Sequence, residues 1–312
     1  MTIIEQFLTA STFFVILAKV APILLAALGG AFTQQGNILN IGLEGMMLIG
    51  AFLAVVVGAL TGSPWIGVLA AVLSSLLLAL LYAVATLWMN ADNIVVGIGI
   101  NLLAAGLTVF LLLVLYGNPG STPATNRILL PRIDIGLLAG IPFVGEVFNN
   151  QTPLVWLALA AVPISTLVLF RTRYGAHLRA VGEDEAAATA AGIKVRRVKM
   201  ISILISGVLC GFAGAQISMA TLGIFSADMT AGRGFIAVAA LTFGLARPVR
   251  TMVAAIIFGA AEGIADLLGI GGFNSSIALM VPYVVTLVAL VLAGLRFQRR
   301  ALGRRVLPES PS

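Results

Sequence analysis

Several stretches of this chain are too long and too apolar to end inside a water-soluble core. Trp65 to Met89, Ile94 to Gly117 and Ile201 to Leu222 each reach the roughly 20 apolar residues that a helix needs to cross a bilayer. Backbone polar groups find no water in hydrocarbon, so a crossing outside a closed barrel must be a helix. Composition agrees: 60% of the residues are hydrophobic and 10% are charged, outside the balance of a soluble domain. The expected fold is all-α, one polytopic transmembrane domain over 1–312 with about 8–10 membrane segments.

The formal charge of +6 is unevenly spread. Seven basic residues fall between Arg171 and Lys199, two more are Arg247 and Arg250, and five lie between Arg296 and Arg305. Each cluster abuts an apolar run. The positive-inside rule places all three in the cytoplasm, with anionic membrane lipid rather than nucleic acid as counter-charge. The expected cytoplasmic parts are therefore a loop at 171–199 and a basic tail at 296–312. Alternation then sets helices near 43–60, 66–88, 94–116, 153–170, 200–221, 251–268 and 276–295. The connection from Asn118 to Thr152, with Pro119, Pro123, Pro131 and Pro142, is expected outside with one short helix. A first apolar stretch at 7–30 is interrupted by Lys19 and Pro22, and Lys19 is expected to snorkel to the interface rather than take a buried ion partner. The opening "MTIIEQFLTASTFF" carries Glu5 where a signal peptide wants basic residues, so it is expected to stay on the mature protein.

The stretch "NILNIGLEGMMLIG", residues 37–50, breaks this apolar pattern with Asn37, Asn40 and Glu44, and with Gly42 and Gly45. Irregular backbone at membrane depth must be satisfied by protein or by a watery cavity. The motif therefore fits either a break lining a polar path or a cytoplasmic turn with Glu44 solvated. "GLEGMMLIGAFLAVVVG" leads through Pro64 into a small-residue helix, and "AGRGFIAVAALTFG" leads through Pro248 into another. The charge anchors send the first outward and the second inward, the pattern of an inverted repeat whose broken helices meet at a pathway. Glu44 and Arg233 mark the two breaks. Glu262 and Asp266 stand one turn apart; Glu262 is the candidate for the pathway, and Asp266 is expected hydrated at the external end. Asn93, Asn101 and Gln216 are amides able to bond a polar solute or a neighbouring helix. Gly207, Gly211 and Ala215, at spacing four, predict a tight helix crossing.

The chemistry of an enzyme is missing. No G-x-x-x-x-G-K-[ST] phosphate loop occurs. One histidine, His177, and one cysteine, Cys210, leave no dyad, disulfide or transition-metal site within the chain. The loop "RTRYGAHLRAVGEDEAAATAAGIKVRRVK" is more informative. Glu183, Asp184 and Glu185 open a short helix, Gly192 suits its C-cap, and bases follow, as the helix dipole prefers.

Within that loop, "LRAVGEDEAAATAAGIKV" resembles the coupling-helix loop of type II ABC importer permeases. "NIGLEGMMLIGAF" and "GRGFIAVAALTFGLARP" (232–248) resemble the broken regions of the nucleoside and simple-sugar branch. Glu185, Ala186 and Ala187 are followed by four residues before Gly192, a spacing that departs from the older E-A-A-x-x-x-G importer signature and fits the type II pattern. The resemblance implies that Gly182, Glu183, Glu185, Ala186, Ala187 and Gly192 couple the chain to a separate ATP-binding protein, which would carry ATP and Mg. It further implies a second, non-identical permease subunit, a periplasmic or lipoprotein substrate-binding protein, and a bacterial inner membrane. Asn40, Glu44 and Arg233 would lie near the translocation path. Nucleosides are the expected substrate, with ribose-type sugars or branched-chain amino acids as alternatives, and Phe32, Phe52 or Phe235 as aromatic faces for such a solute. The rival from another class is a secondary transporter or channel working without ATP.

Overall fold

The central helix is the one whose sequence looked most interrupted. In the computed structural model, which describes residues 9–135, 143–270 and 284, helix α1 (Ala10–Gln35) runs unbroken through Pro22. Residues Ile23 to Leu28 have no exposed surface, as a helix apolar on every side requires. Four further long helices follow: α2 (Leu43–Thr61), α3 (Pro64–Leu87), α4 (Asn93–Tyr116) and, after the long connection, α6 (Pro153–Arg171). Helix α5 (Val144–Phe148) is the short helix expected within that connection. Then come α7 (Arg173–Glu183), α8 (Glu185–Ala190), α9 (Val195–Met219), α10 (Arg233–Phe243) and α11 (Pro248–Ile270). Among the described residues seven helices are long and apolar enough to cross a membrane, with α10 a shorter apolar one. This is a polytopic helical bundle. The span expected at 276–295, apart from position 284, and the tail at 296–312 lie outside the described residues.

Proline at the first helical position of α3 and α6, where its missing N–H costs nothing, sets both starts close to expectation. Helix α9 begins at Val195 rather than near 200, so Arg196, Arg197 and Lys199 belong to its first turns. Arg and Lys are good helix formers, and long stems let their charges reach the interface while the backbone stays helical.

Helices α2, α3 and α9 pack against one another, and α1 packs on α9 and α11. Glycine makes the α9 crossings close. A Cβ on Gly211 would fall 2.6 Å from the Val72 Cα, and one on Gly214 would fall 2.2 Å from the Met47 carbonyl oxygen. Gly214→Val is expected to force α2 and α9 apart and cost about 3 kcal/mol or more, the upper range of overpacking; thermal unfolding in detergent reads this as a lowered midpoint. Helix α4 is held more loosely. Asp92 caps it by accepting from the Ile94 and Val95 N–H groups at 2.9 and 3.1 Å, and only the stripe Gly97, Ile100, Ala104, Thr108 and Leu112 is buried.

The connection after α4 folds back on the segment that precedes α10. Thr122 N–H donates to the Phe225 carbonyl, Ile128 N–H to Gly223 and Leu130 N–H to Met219. Phe225 in turn meets Phe52 edge-on at 5.2 Å. Phe52 and Phe32 are thus buried packing residues, whereas Phe235 is half exposed. The two core rings therefore do not offer faces to a solute, because their own helices enclose them.

Candidate functional site

Both expected breaks exist, and they meet. Residues 36–42 leave the helix between α1 and α2, and residues 220–232 do so before α10. Glu44, in the first turn of α2, is buried, and its carboxylate accepts from the Gly232 N–H at 2.9 Å and the Gly234 N–H at 2.5 Å. A Cβ on Gly234 would lie 2.5 Å from the Glu44 Cα, so the starts of α2 and α10 are in contact. Ala231 (φ 46°) and Gly232 (φ 80°) are both left-handed, which helps turn the two N–H groups toward one anion, a backbone nest. Each helix N-terminus carries roughly half a positive charge. Glu44 answers both at once, so of the two readings of its motif the solvated turn is excluded.

The first break is tied down by protein amides. Asn101 accepts from the Gly45 N–H at 2.8 Å and donates to the Ile41 carbonyl at 3.1 Å, replacing helical bonds that the break forfeits. Asn40, also buried, accepts from the Gly42 N–H at 3.0 Å and donates to Ser206 Oγ at 3.3 Å. Gly97 lets α4 approach: a Cβ there would stand 2.9 Å from the Gly42 nitrogen.

On the other side of the junction, Arg233 donates through Nε to Glu262 Oε1 at 2.8 Å and makes a second, shorter bond from its Nη2. Lys19 Nζ stands 3.4 Å from the same oxygen. The expectation that Lys19 snorkels is corrected here. Gly259 and Gly263 bring α11 against Val20 and Ile16 of α1, which leaves Lys19 within reach of Glu262 inside the bundle. Two acids and two bases therefore surround the junction with their charges balanced.

The remaining predicted residues divide. Gln216 is buried and accepts from Thr152 Oγ1 at 2.7 Å, with no partner found for its Nε2. Asn93 contributes its backbone carbonyl, which accepts from the Tyr82 hydroxyl at 3.3 Å. Asn37 is exposed and left-handed (φ 58°), away from the junction and beside Arg179 and Glu183. The side chain of Asp266 lies outside the described residues.

The loop at 171–199 forms two helices where one was expected. Asp184 ends α7 and caps α8, accepting from the Ala186 and Ala187 N–H groups at 2.8 and 3.0 Å. Gly192 (φ 82°) closes α8 with its N–H on the Thr189 carbonyl and the Ile193 N–H on Ala188, a Schellman end. Glu185 bonds Lys199 of α9. Tyr174, held on the Val198 carbonyl at 3.3 Å, has its pKa pushed up by burial and stays a neutral donor. Helix α7 lies against the exit of α1: Leu178 faces Gly36, and a Cβ on Gly182 would fall 2.2 Å from the Gln35 carbonyl oxygen. Gln35 Nε2 meanwhile donates to the Ala246 carbonyl at 3.0 Å, in the turn between α10 and α11.

Residues 12–290 match the family described as branched-chain amino acid transport system / permease component. The chain belongs to this permease family. It is 38% identical to the nucleoside ABC transporter permease protein NupC of Lactococcus lactis, over 93% of this chain and 91% of that one. Similarity extends to the guanosine ABC transporter permease protein NupQ of Bacillus subtilis, at 36% over 88% and 89%. The putative glucose ABC transporter permease protein TsgC13 of Haloferax volcanii is 34% identical over 82% and 76%. No solved structure matches the chain. The permease is thus a multi-pass transport subunit of an ABC importer, the kind of subunit that works with ATP-binding and substrate-binding components. Sequence reasoning missed two anchors that this permease places around its breaks, Ser206 under Asn40 and Gln35 on Ala246, and the bond from Lys199 to Glu185 in the loop at 171–199. The first two do not follow from spacing, since each joins segments far apart in the chain; the third joins consecutive helices, and the acids and bases at the two ends of that loop were the signal for it.

Proposed function

We propose that this permease imports nucleosides across a bacterial inner membrane, paired with a second, non-identical permease, a separate ATPase carrying ATP and Mg, and an external binding protein. The observation that carries this reading is identity of 38% and 36% with nucleoside and guanosine permeases over nearly the whole chain. The charge balance at the junction supports it. Glu44 is spent on backbone N–H groups, and Glu262 on Arg233 and Lys19, an arrangement suited to a neutral, hydrogen-bonding solute. In this reading Asn40, Glu44, Asn101, Arg233 and Glu262 shape the translocation path at the two breaks, and Gly182, Glu183, Glu185, Ala186, Ala187 and Gly192 form the docking and coupling segment for the ATPase.

Mild-detergent purification of the tagged chain from its native membrane, followed by mass spectrometry and uptake assays on the reconstituted complex, tests the proposal. Recovery of a P-loop ATPase, a second permease and a binding protein, with ATP-dependent uptake of labelled guanosine that excess glucose does not inhibit, is the expected result. Inhibition by glucose alone would move the substrate to the sugars. A chain that purifies alone and moves guanosine without ATP would overturn the reading.

A further inference from the structure

A second feature of the cytoplasmic side is not used by the junction. Between the end of α3 and the start of α9 lies a pocket of about 840 Å³, walled by Trp88, Asn90, Thr189, Lys194, Arg196 and Arg197. Lys199 in the same wall is neutralised by Glu185. Lys194, Arg196 and Arg197 are exposed, and no ion pair is found for them among the described residues. The pocket is cationic and also has an apolar approach. Leu73, Leu77, Leu81, Val84 and Trp88 are exposed at 55, 66, 48, 41 and 48%, and their spacing of three and four puts them on one face of α3. That stripe runs for roughly 22 Å at 1.5 Å per residue, more than half of a hydrocarbon core of about 30 Å, and ends at the pocket.

We infer that this pocket binds the headgroup of an anionic phospholipid, with an acyl chain lying along the leucine stripe of α3. Neither half alone identifies the ligand: exposed leucines are ordinary on a membrane helix, and basic residues are ordinary at its inner end. Their continuity is what fits one molecule, a phosphate on a long apolar tail, and cationic pockets between helices on the cytoplasmic side take such headgroups. A soluble phosphate would use the charges and leave the stripe idle. The seat also has a consequence for coupling, which rests on the function proposed above. Glu185 and Thr189 of α8 share the pocket wall, so an occupied seat braces the segment that meets the ATPase.

The test uses the full complex in phosphatidylcholine vesicles with and without phosphatidylglycerol, and native mass spectrometry of the permease after delipidation. Wild type is expected to keep phosphatidylglycerol, and its transport-coupled ATPase rate to rise several-fold with that lipid. The triple variant Lys194→Gln, Arg196→Gln, Arg197→Gln should lose both effects, whereas Arg247→Gln, Arg250→Gln, which removes two positive charges from another inner-face site, should keep them. Equal lipid retention by the triple variant and wild type would overturn the site. So would displacement of the lipid by soluble glycerol phosphate at equal phosphate concentration, which would make the ligand a free phosphate. Loss of the ATPase from the triple variant with lipid retention unchanged would assign the surface to that subunit and sink the proposal. Lipid retention is measured on the permease itself, so a failure of the importer reading leaves this result standing.

Discussion

Glu44→Ala is expected to abolish uptake, and Glu44→Gln to reduce it while leaving measurable transport. The carboxylate satisfies two backbone donors that belong to the other broken region, the half-buried N–H of Gly232 and the buried N–H of Gly234. Removing it orphans both, at about 1–3 kcal/mol for each unsatisfied group, and leaves two positive helix ends facing each other. Glutamine keeps one acceptor, yet it turns an NH2 toward the second donor and carries no charge. Its loss should therefore be smaller, on the order of tenfold in rate for about 1.4 kcal/mol. The measurement is ATP-driven uptake in proteoliposomes, normalised to inserted protein by size-exclusion profile. Uptake at wild-type level in Glu44→Ala would show that the junction does not depend on this contact. A proton-coupled carrier would behave differently: its uptake would fall with Glu44→Gln and with Glu262→Gln regardless of ATP supply.

Those outcomes bear on how the two broken regions work together. Their starts touch at Glu44 and Gly234, and the helices lead away from that contact, one into α3 by way of Pro64 and the other into α11 by way of Pro248. This is the meeting that inverted halves are expected to make. Movement of either start relative to the other must break or remake the Glu44 bonds. Arg233, lying between the two donor glycines, is fixed at its far end by Glu262, so the second break is tethered to α11 while its N–H groups are tethered to α2.

The helices were legible in the sequence because long apolar runs with proline or aspartate at their starts allow few other readings. Glu44, Arg233 and the Gly-rich breaks were legible as exceptions to that pattern. Their partners were not. Spacing places Glu262 on a helix face, but only the close approach of Gly259 and Gly263 to α1 reveals that Lys19 shares it. Asn101 and Gln216 both read as amides for packing or solute. The first bridges the break with both ends of its amide, whereas the second leaves its Nε2 without a partner. Composition does not distinguish the two; the geometry of the neighbouring backbone does. Asn37 belonged to the same motif, but its left-handed turn directs it to the opposite end of the break, beside α7.

Gly182→Val is expected to separate ATP hydrolysis from transport, with uptake falling roughly tenfold or more, a coupling loss of about 1.4 kcal/mol, while the ATPase stays bound and active. The argument runs through one contact. Gly182 meets the Gln35 carbonyl so closely that a Cβ would stand 2.2 Å from it, and backbone, unlike a flexible side-chain end, cannot yield. Valine must therefore lift α7 from the exit of α1. That exit is where the first break begins, with Asn40 and Glu44 following, and Gln35 also holds the turn after α10 through Ala246. A displaced α7 thus loses its grip on both broken regions, while Asp184 still caps α8 and the surface proposed to meet the ATPase persists. Gln35→Met provides the second arm, since it keeps the side-chain length and removes only the bond to Ala246; its uptake should fall less, and adding Gly182→Val should lower it little further. Co-purification of the ATPase, its hydrolysis rate and guanosine uptake on the same preparation separate these effects. Parallel loss of hydrolysis and uptake would indicate failed docking, and fully additive losses would show that Gly182 and Gln35 act through different routes.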